Sequence, residues 1–345
     1  MRKVSAIAAA LALLGLGIAA QAITIETVAV GDKGNAGDTR VMTWDGTTGY
    51  GAVSYNYNIG KYEVTAGQYT AFLNAVAATD TYRLYNTGMS NASNGCGITR
   101  SGTAGSYRYS VANDFVNRPV NNVNYWHSCR FANWLCNGQP TGAENASTTE
   151  RGAYTLDGYN GQDGRNIQRN AGATWAVTSE DEWYKAAYYK GGGTNAGYWL
   201  YPTMSNAAPA NQVLATDPGN SANYYINNYS IGSPYYRTIV GEFENSASAY
   251  GTFDQGGNVW EWTEGKRYDP EDHLHIDYTR AIRGGSFASS ATLLQASDRE
   301  GSNPYGWNSE SGFRVVGFAA VPEPSSLIAL LGGVIGLLGI RRRRG

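Results

Sequence analysis

Asp254-Gln255-Gly256-Gly257-Asn258-Val259-Trp260-Glu261-Trp262 is the stretch on which the reading of this chain turns. Gly256-Gly257 lets the backbone curl tightly between two carboxylates, and the run then closes on a pair of tryptophans. Upstream lies Tyr250-Gly251-Thr252-Phe253; downstream come Arg283-Gly284-Gly285-Ser286-Phe287 and Gly312-Phe313-Arg314-Val315-Val316. Short aromatic and apolar pieces cut by glycines point to turns and brief strands rather than long elements.

Further toward the N-terminus the sequence predicts three helices. Around Ile59-Gly60-Lys61-Tyr62-Glu63-Val64 a short strand gives way to a helix that Thr65 can cap, with Tyr69, Phe72 and Leu73 on one face. Arg118-Pro119-Val120-Asn121-Asn122-Val123 leads into a second, from about Tyr125 to Cys136, presenting Phe131, Trp134 and Leu135 with Asn124 as its cap. In the third, Ser179 and Glu182 of Ser179-Glu180-Asp181-Glu182-Trp183-Tyr184-Lys185-Ala186-Ala187 form a capping box.

Composition narrows the classes. Setting aside Arg2 and Lys3 at one end, and Glu323 and the four arginines Arg341–Arg344 at the other, 20 of the 26 Lys/Arg and 27 of the 28 Asp/Glu remain, a net charge of about −7. Nucleic acid is excluded as a partner, because its binding needs cations against phosphates. Only 16% of residues are charged, against 44 Gly, 26 Tyr and 9 Trp, which predicts one α+β domain with low regular secondary structure. Of the cysteines Cys96, Cys129 and Cys136, the last two sit seven apart on one predicted helix, about 10.5 Å along its axis and beyond disulfide reach. Only a bridge through Cys96 stays open, and at least one thiol remains free. The histidines are His127, His273 and His275; His273-Leu274-His275 falls in the acidic loop 269–277, read as solvated. No G-x-S-x-G nucleophile elbow is present.

Taken in order, these motifs resemble the formylglycine-generating enzyme, or sulfatase-modifying-factor, family, whose pattern runs Y-E-V-T, P-V-x-x-V-x-W, T-E-x-E-W, G-N-V-W-E-W, R-G-G-S and G-F-R. Val177-Thr178-Ser179 stands where the family has Leu-Pro-Thr, and Tyr184 where it has Glu. The resemblance covers residues 44–320 and implies a sulfatase-modifying-factor fold, a C-type-lectin-like variant. In active members it implies copper-dependent oxidation of a cysteine, with two thiolates placed shortly after R-G-G-S. Those two positions fall here on Ser289 and Leu294. Soft Cu(I) selects thiolates, so copper and formylglycine generation are not expected. The resemblance also implies a structural Ca²⁺ held by the side chains of Asp254 and Glu261 and the carbonyls of Gly257 and Val259, hard oxygen donors of the type Ca²⁺ prefers. A weaker second calcium site would use Asn223 and Tyr224, but its acidic partner near Gly232–Pro234 is missing.

The reading that follows is an exported, non-catalytic binding protein on this scaffold, taking a carbohydrate or protein ligand. Trp260, Trp262, Tyr305 and Trp307 are the candidate contacts, since their rings suit stacking and hydrogen bonding. The rival reading is a diverged oxidase, hydroxylase or sulfatase-maturation-type enzyme acting on an exported protein.

Both ends carry targeting signals. Met1-Arg2-Lys3, an apolar stretch Val4–Ala20 and Ala20-Gln21-Ala22 form a signal peptide over residues 1–22, followed by a lead-in, 23–43. Residues 321–345 hold Val321-Pro322-Glu323-Pro324, the apolar run Leu327–Ile340 and Arg341–Arg344. This resembles the PEP-CTERM sorting signal, which implies an exosortase-type protease as partner and a destination in the cell envelope, surface or extracellular matrix. As a helix the apolar run would be about 21 Å long, short of a bilayer core of about 30 Å, which suits a transient stop better than a lasting anchor.

Overall fold

Among the described residues three α-helices form where the sequence supplies both halves of a cap. α1 spans Ala66–Val76, α2 Tyr125–Cys136 and α3 Glu180–Tyr188. At α1, Thr65 Oγ1 accepts from the Gln68 N–H (3.2 Å) while Gln68 Oε1 accepts from the Thr65 N–H (3.0 Å). Asn124 and His127 make the same reciprocal pair at α2, as do Ser179 and Glu182 at α3. Each box satisfies two otherwise orphaned amides and contributes about 1 kcal/mol.

The structure is a computed structural model describing residues 22–162, 166–267 and 279–318. The proposed signal peptide up to residue 21, the sorting signal, and His273 and His275 lie outside the described residues. Among the described residues no helix is long and apolar enough to cross a membrane.

Two small sheets complete the frame. One is antiparallel throughout, in the order Thr27–Val30, Tyr57–Gly60, Val315–Gly317, Trp175–Val177. The other runs Glu300–Ser302, Arg280–Arg283, Trp260–Lys266, Ser311–Gly312, and its last pair is parallel. Two hairpins, Ile98–Ser101 with Arg108–Val111 and Tyr225–Ile226 with Asn228–Tyr229, stand apart from them. Segment 23–43 is no mere lead-in: Thr27–Val30 is an edge strand in register with Tyr57–Gly60, and Val30 is fully buried. A four-residue strand is too short for its alternation to be read from sequence.

α1 and α2 bury their aromatic faces together. Phe131 packs edge-on against Phe72 (5.4 Å) and Phe313 (5.3 Å), and Trp134 lies against Phe72 (5.3 Å). All three cysteines are free; Cys96 and Cys129 are buried core thiols, and the bridge left open through Cys96 does not form.

Buried arginines tie these parts to one another. Arg314 is fully buried and binds Glu261 through both oxygens, at 2.6 Å each, while donating to the carbonyls of Gly60 and Phe253 (2.9 Å each). Glu180 of α3 binds Arg283 (2.6 Å) and Arg299 (2.8 Å). Breaking one partner of such a pair leaves an uncompensated buried charge. Arg314→Met is therefore expected to lower the unfolding free energy by about 3–5 kcal/mol, and Arg314→Met/Glu261→Gln to recover part of the loss. Urea unfolding of the three proteins checks this; a loss below about 1 kcal/mol, the scale of a surface pair, would contradict it.

Candidate functional site

The loop before Trp260 is shaped by its backbone. Gly257 has φ +83°, and a Cβ there would lie 2.1 Å from the Asn223 carbonyl oxygen, so only glycine fits. Asn258 follows at φ +59°, its N–H donating to that same carbonyl (2.8 Å). Asp254, at φ +61°, accepts the Gly241 N–H through Oδ2 (2.6 Å). Burial pushes the Asp254 carboxyl up to about 6, although the Gly241 N–H and Arg314 oppose the shift.

Glu261 is fully buried and already engaged. Its Oε2 accepts from Trp183 Nε1 (2.7 Å) and Arg314 Nε, and its Oε1 from Arg314 Nη2. One lone pair on Oε1 is left for another partner.

Between these groups the structure adds a residue that sequence reasoning missed. Glu63 is 2% exposed, and neither carboxylate oxygen has a hydrogen-bond partner among the described residues. Burial drives its carboxyl well above the ordinary range, and the charges of Asp254 and Glu261 push the same way against Arg314. The signal for it was its place in Tyr62-Glu63-Val64-Thr65, the Y-E-V-T motif, with an acid set between an aromatic and an apolar residue. An orphaned carboxylate beside Asp254 is what a hard cation would satisfy. Among the described residues no three His, Cys, Asp or Glu side chains gather closely enough to hold a metal by themselves, so an ion here would need carbonyl oxygens as well. Gly257 and Val259 are buried in the same loop.

The second expected site is more heavily used. Asn223 donates to the Tyr236 carbonyl and to Asn258 Oδ1 (2.9 Å each), leaving its own Oδ1 buried and unpartnered. The Tyr224 carbonyl already accepts from Asn211 (3.1 Å).

Ser289 and Leu294, the positions to which the resemblance assigns the thiols, are both buried. Ser289 Oγ accepts the Ser286 N–H (2.9 Å), and Ser286 donates to Glu310 Oε2 (2.6 Å). Leu294 ends a 3-10 turn, Ala291–Leu294, and is fully buried with Tyr201, Ala222 and Tyr224.

The four candidate aromatic contacts divide evenly. Trp260 and Trp262 are corrected to core residues: Trp260 is 7% exposed, and Trp262 is fully buried with its N–H on the Val123 carbonyl (3.1 Å). They stand on one face of a strand that the body of the domain covers, so neither can stack on a ligand. Tyr305 and Trp307 are 38% and 49% exposed. Their loop is fixed by the Tyr125 N–H on the Pro304 carbonyl (3.1 Å) and by Asn124 on the Tyr305 carbonyl (3.1 Å). Trp307 walls a groove of about 380 Å³ shared with Asp80, Arg83, Tyr85, Arg100 and Tyr107. Within it Arg100 lies against the rings of Tyr107 (4.2 Å) and Tyr85 (4.9 Å) and pairs with Asp80 (2.8 Å). His127 is buried, which lowers it to about 3 with help from Arg130, so it stays neutral as a helix cap.

Comparison with known proteins follows the same line. The sequence profile of the sulfatase-modifying factor enzyme 1-like domain matches residues 39–318, and that of the PEP-CTERM protein-sorting motif matches 320–344. Among solved structures the chain is similar to CarF (20% identity, TM-score 0.48, covering 86% of this chain and 99% of that one). It is also similar to Treponema denticola variable protein 1 (18%, 0.47, 86% and 97%) and to PvdO from Pseudomonas aeruginosa (20%, 0.46, 85% and 94%). No curated protein matches it in sequence.

The Glu63 geometry makes a pH prediction. Folding holds a proton on Glu63 that the unfolded chain releases above its ordinary 4.5, so in chelator the stability drops as pH rises beyond that value. Glu63→Gln removes this penalty. Its advantage over the wild type in EDTA should be near zero at pH 4 and grow by up to about 1.4 kcal/mol per pH unit above 4.5. Urea titrations at pH 4 and pH 8 measure it, and a difference independent of pH would contradict the account.

Proposed function

Because the chain belongs to the sulfatase-modifying factor enzyme 1-like family, we propose that it uses the family scaffold for binding rather than oxidation, as a non-catalytic protein holding a carbohydrate or protein ligand at the cell envelope or in the matrix. The PEP-CTERM motif at 320–344 makes it an exported protein, recognised by an exosortase-type sorting system and sorted at the cell envelope. A cleaved signal peptide over residues 1–22 is part of the proposal.

One observation carries the reading: Ser289 and Leu294 stand where two thiolates would converge, one satisfying a backbone amide and the other packed in a core. Hydroxyl and alkyl groups are not ligands for soft Cu(I). The buried thiols do not replace them. Burial raises Cys96 and Cys129, which keeps both protonated and poor as nucleophiles or metal ligands. The groove walled by Trp307 supplies what a binding protein needs instead, an exposed ring beside a guanidinium held in place by stacking and an ion pair.

The proposal includes a structural Ca²⁺, held by Asp254, the remaining lone pair of Glu261 and the Gly257 and Val259 carbonyls, with Glu63 as a further carboxylate. A ligand of the folded state adds about 2.7 kcal/mol at a hundredfold excess over its dissociation constant. Millimolar Ca²⁺ should raise the melting temperature at pH 7.5, and Asp254→Asn should remove the response. An unchanged wild-type melting temperature after chelation would defeat the calcium assignment.

For the function itself, the test is a cysteine peptide of the sulfatase type incubated with protein, Cu(I) and oxygen. Wild type should leave the thiol intact and bind Cu(I) no better than a Ser289→Ala control. Ser289→Cys/Leu294→Cys should gain Cu(I) affinity. Oxygen-dependent conversion of the thiol to an aldehyde by the wild type would overturn the non-catalytic reading.

A further inference from the structure

The sixteen residues 221–236 contain no Asp, Glu, Lys, Arg or His, yet five are tyrosines. They fold into the small hairpin that stands beside Ser289, anchored to it by the Tyr225 N–H on the Ser289 carbonyl (2.9 Å). Asn211 holds the other strand through the Asn228 carbonyl (2.9 Å). On the hairpin the rings of Tyr225 and Tyr229 meet edge to face at 5.1 Å, and Tyr229 meets Tyr236 at 4.9 Å. Tyr236 in turn stacks on Phe287 at 5.2 Å. Phe287 belongs to the Arg283-Gly284-Gly285-Ser286-Phe287 motif, so the row of rings begins in the domain core and runs outward to solvent. Tyr225 and Tyr229 are 41% and 42% exposed.

Two features mark this row as built for contact. Tyr236 has φ +52°, a left-handed backbone that a bulky residue adopts only at a cost and that places its ring between Phe287 and Tyr229. The phenolic hydroxyls of Tyr225, Tyr229 and Tyr236 have no hydrogen-bond partner among the described residues, although elsewhere in the domain buried tyrosines such as Tyr57, Tyr69 and Tyr188 donate to carbonyls. The surface therefore offers apolar ring faces, free hydroxyls and the amide of Asn227 at the turn, on a rigid support that costs little entropy to engage.

We propose that this aromatic face is a binding platform for a neutral polysaccharide. Sugar rings present apolar C–H faces to aromatic rings and hydroxyls to phenols and amides, and both complements are present in one row. Charge decides against an acidic chain or a charged peptide: of the adjoining guanidiniums, Arg237 is fully buried and donates through Nη1 and Nη2 to the carbonyls of Asn94 and Gly95, and Arg118, over the Tyr235 ring at 4.1 Å, is engaged by the carbonyls of Asp114 and Arg237. The inference rests on the reading of the chain as a binding protein and gives that reading a ligand class and a second site, apart from the Trp307 groove.

Affinity electrophoresis of the mature protein tests it, in gels containing hydroxyethylcellulose, laminarin, galactomannan or xylan, with alginate as the acidic comparison. We expect retardation by at least one neutral polymer that persists when salt is raised, since screening acts only on charge. Tyr229→Ala should weaken it at least tenfold, equivalent to about 1.4 kcal/mol, whereas Tyr229→Phe, which keeps the ring, stays within about threefold. Trp44→Ala, which removes an exposed ring (58% exposed) that belongs to neither site, should leave it unchanged. Retardation absent from all four neutral gels, present only in alginate, or surviving Tyr229→Ala overturns the platform. Loss in Trp307→Ala with normal binding in Tyr229→Ala also overturns it, while keeping a binding protein whose ligand sits in the groove. Peptide oxidation by the wild type would strike the non-catalytic reading alone.

Discussion

The Arg314–Glu261 pair is the constraint on which the rest of the domain depends. Ser311–Gly312 belongs to one sheet and Val315–Gly317 to the other, so the chain passes between sheets at Phe313-Arg314. At that crossing the guanidinium holds an inner strand of one sheet through Glu261, the strand Tyr57–Gly60 through the Gly60 carbonyl, and the turn leading into Asp254 through the Phe253 carbonyl. Trp183 of α3 reaches the same carboxylate. With so few regular hydrogen bonds per element, a buried ion pair that joins four segments through its own donors and acceptors fixes geometry that short strands cannot fix alone. Its value is positional: a buried pair repays its desolvation only when every donor and lone pair is used, and here nearly all are.

From that hub the chemistry diverges. On one side the loop from Asp254 to Glu261 and the unpartnered Glu63 concentrate negative charge in a buried space, a cost to the fold unless something positive offsets it. On the other, the segment Ser286–Leu294 is packed structure, with Ser289 closing a turn and Leu294 filling a cluster. The hairpin that lies against Ser289 carries exposed rings above this closed segment.

How much of this the sequence discloses depends on distance along the chain. The helices are legible because each cap is a local event: Thr65 with Gln68, Asn124 with His127, and Ser179 with Glu182 lie three residues apart. The family motifs are legible for the same reason, as short strings. Burial is not. Trp260 and Trp262 look like any aromatic pair until the packing over their strand is known, and Tyr305 and Trp307 look the same yet face solvent. The row Tyr225, Tyr229, Tyr236 and Phe287 escaped notice because one ring comes from a motif more than fifty residues away. Glu63 escaped because its meaning lies in Asp254 and Glu261, nearly two hundred residues downstream.

The central claim is that an exported member of this family binds through its surface aromatic loops and does no chemistry at the Ser286–Leu294 segment. Hydrogen exchange of the purified protein, with and without polysaccharide extracted from the matrix of the producing cells, addresses it most directly. The account predicts protection in the peptides covering 225–236, 301–312 or both, with exchange across 286–294 unchanged beyond the turn that contacts Tyr225. Protection confined to 286–294, or none anywhere at saturating polysaccharide, would contradict it.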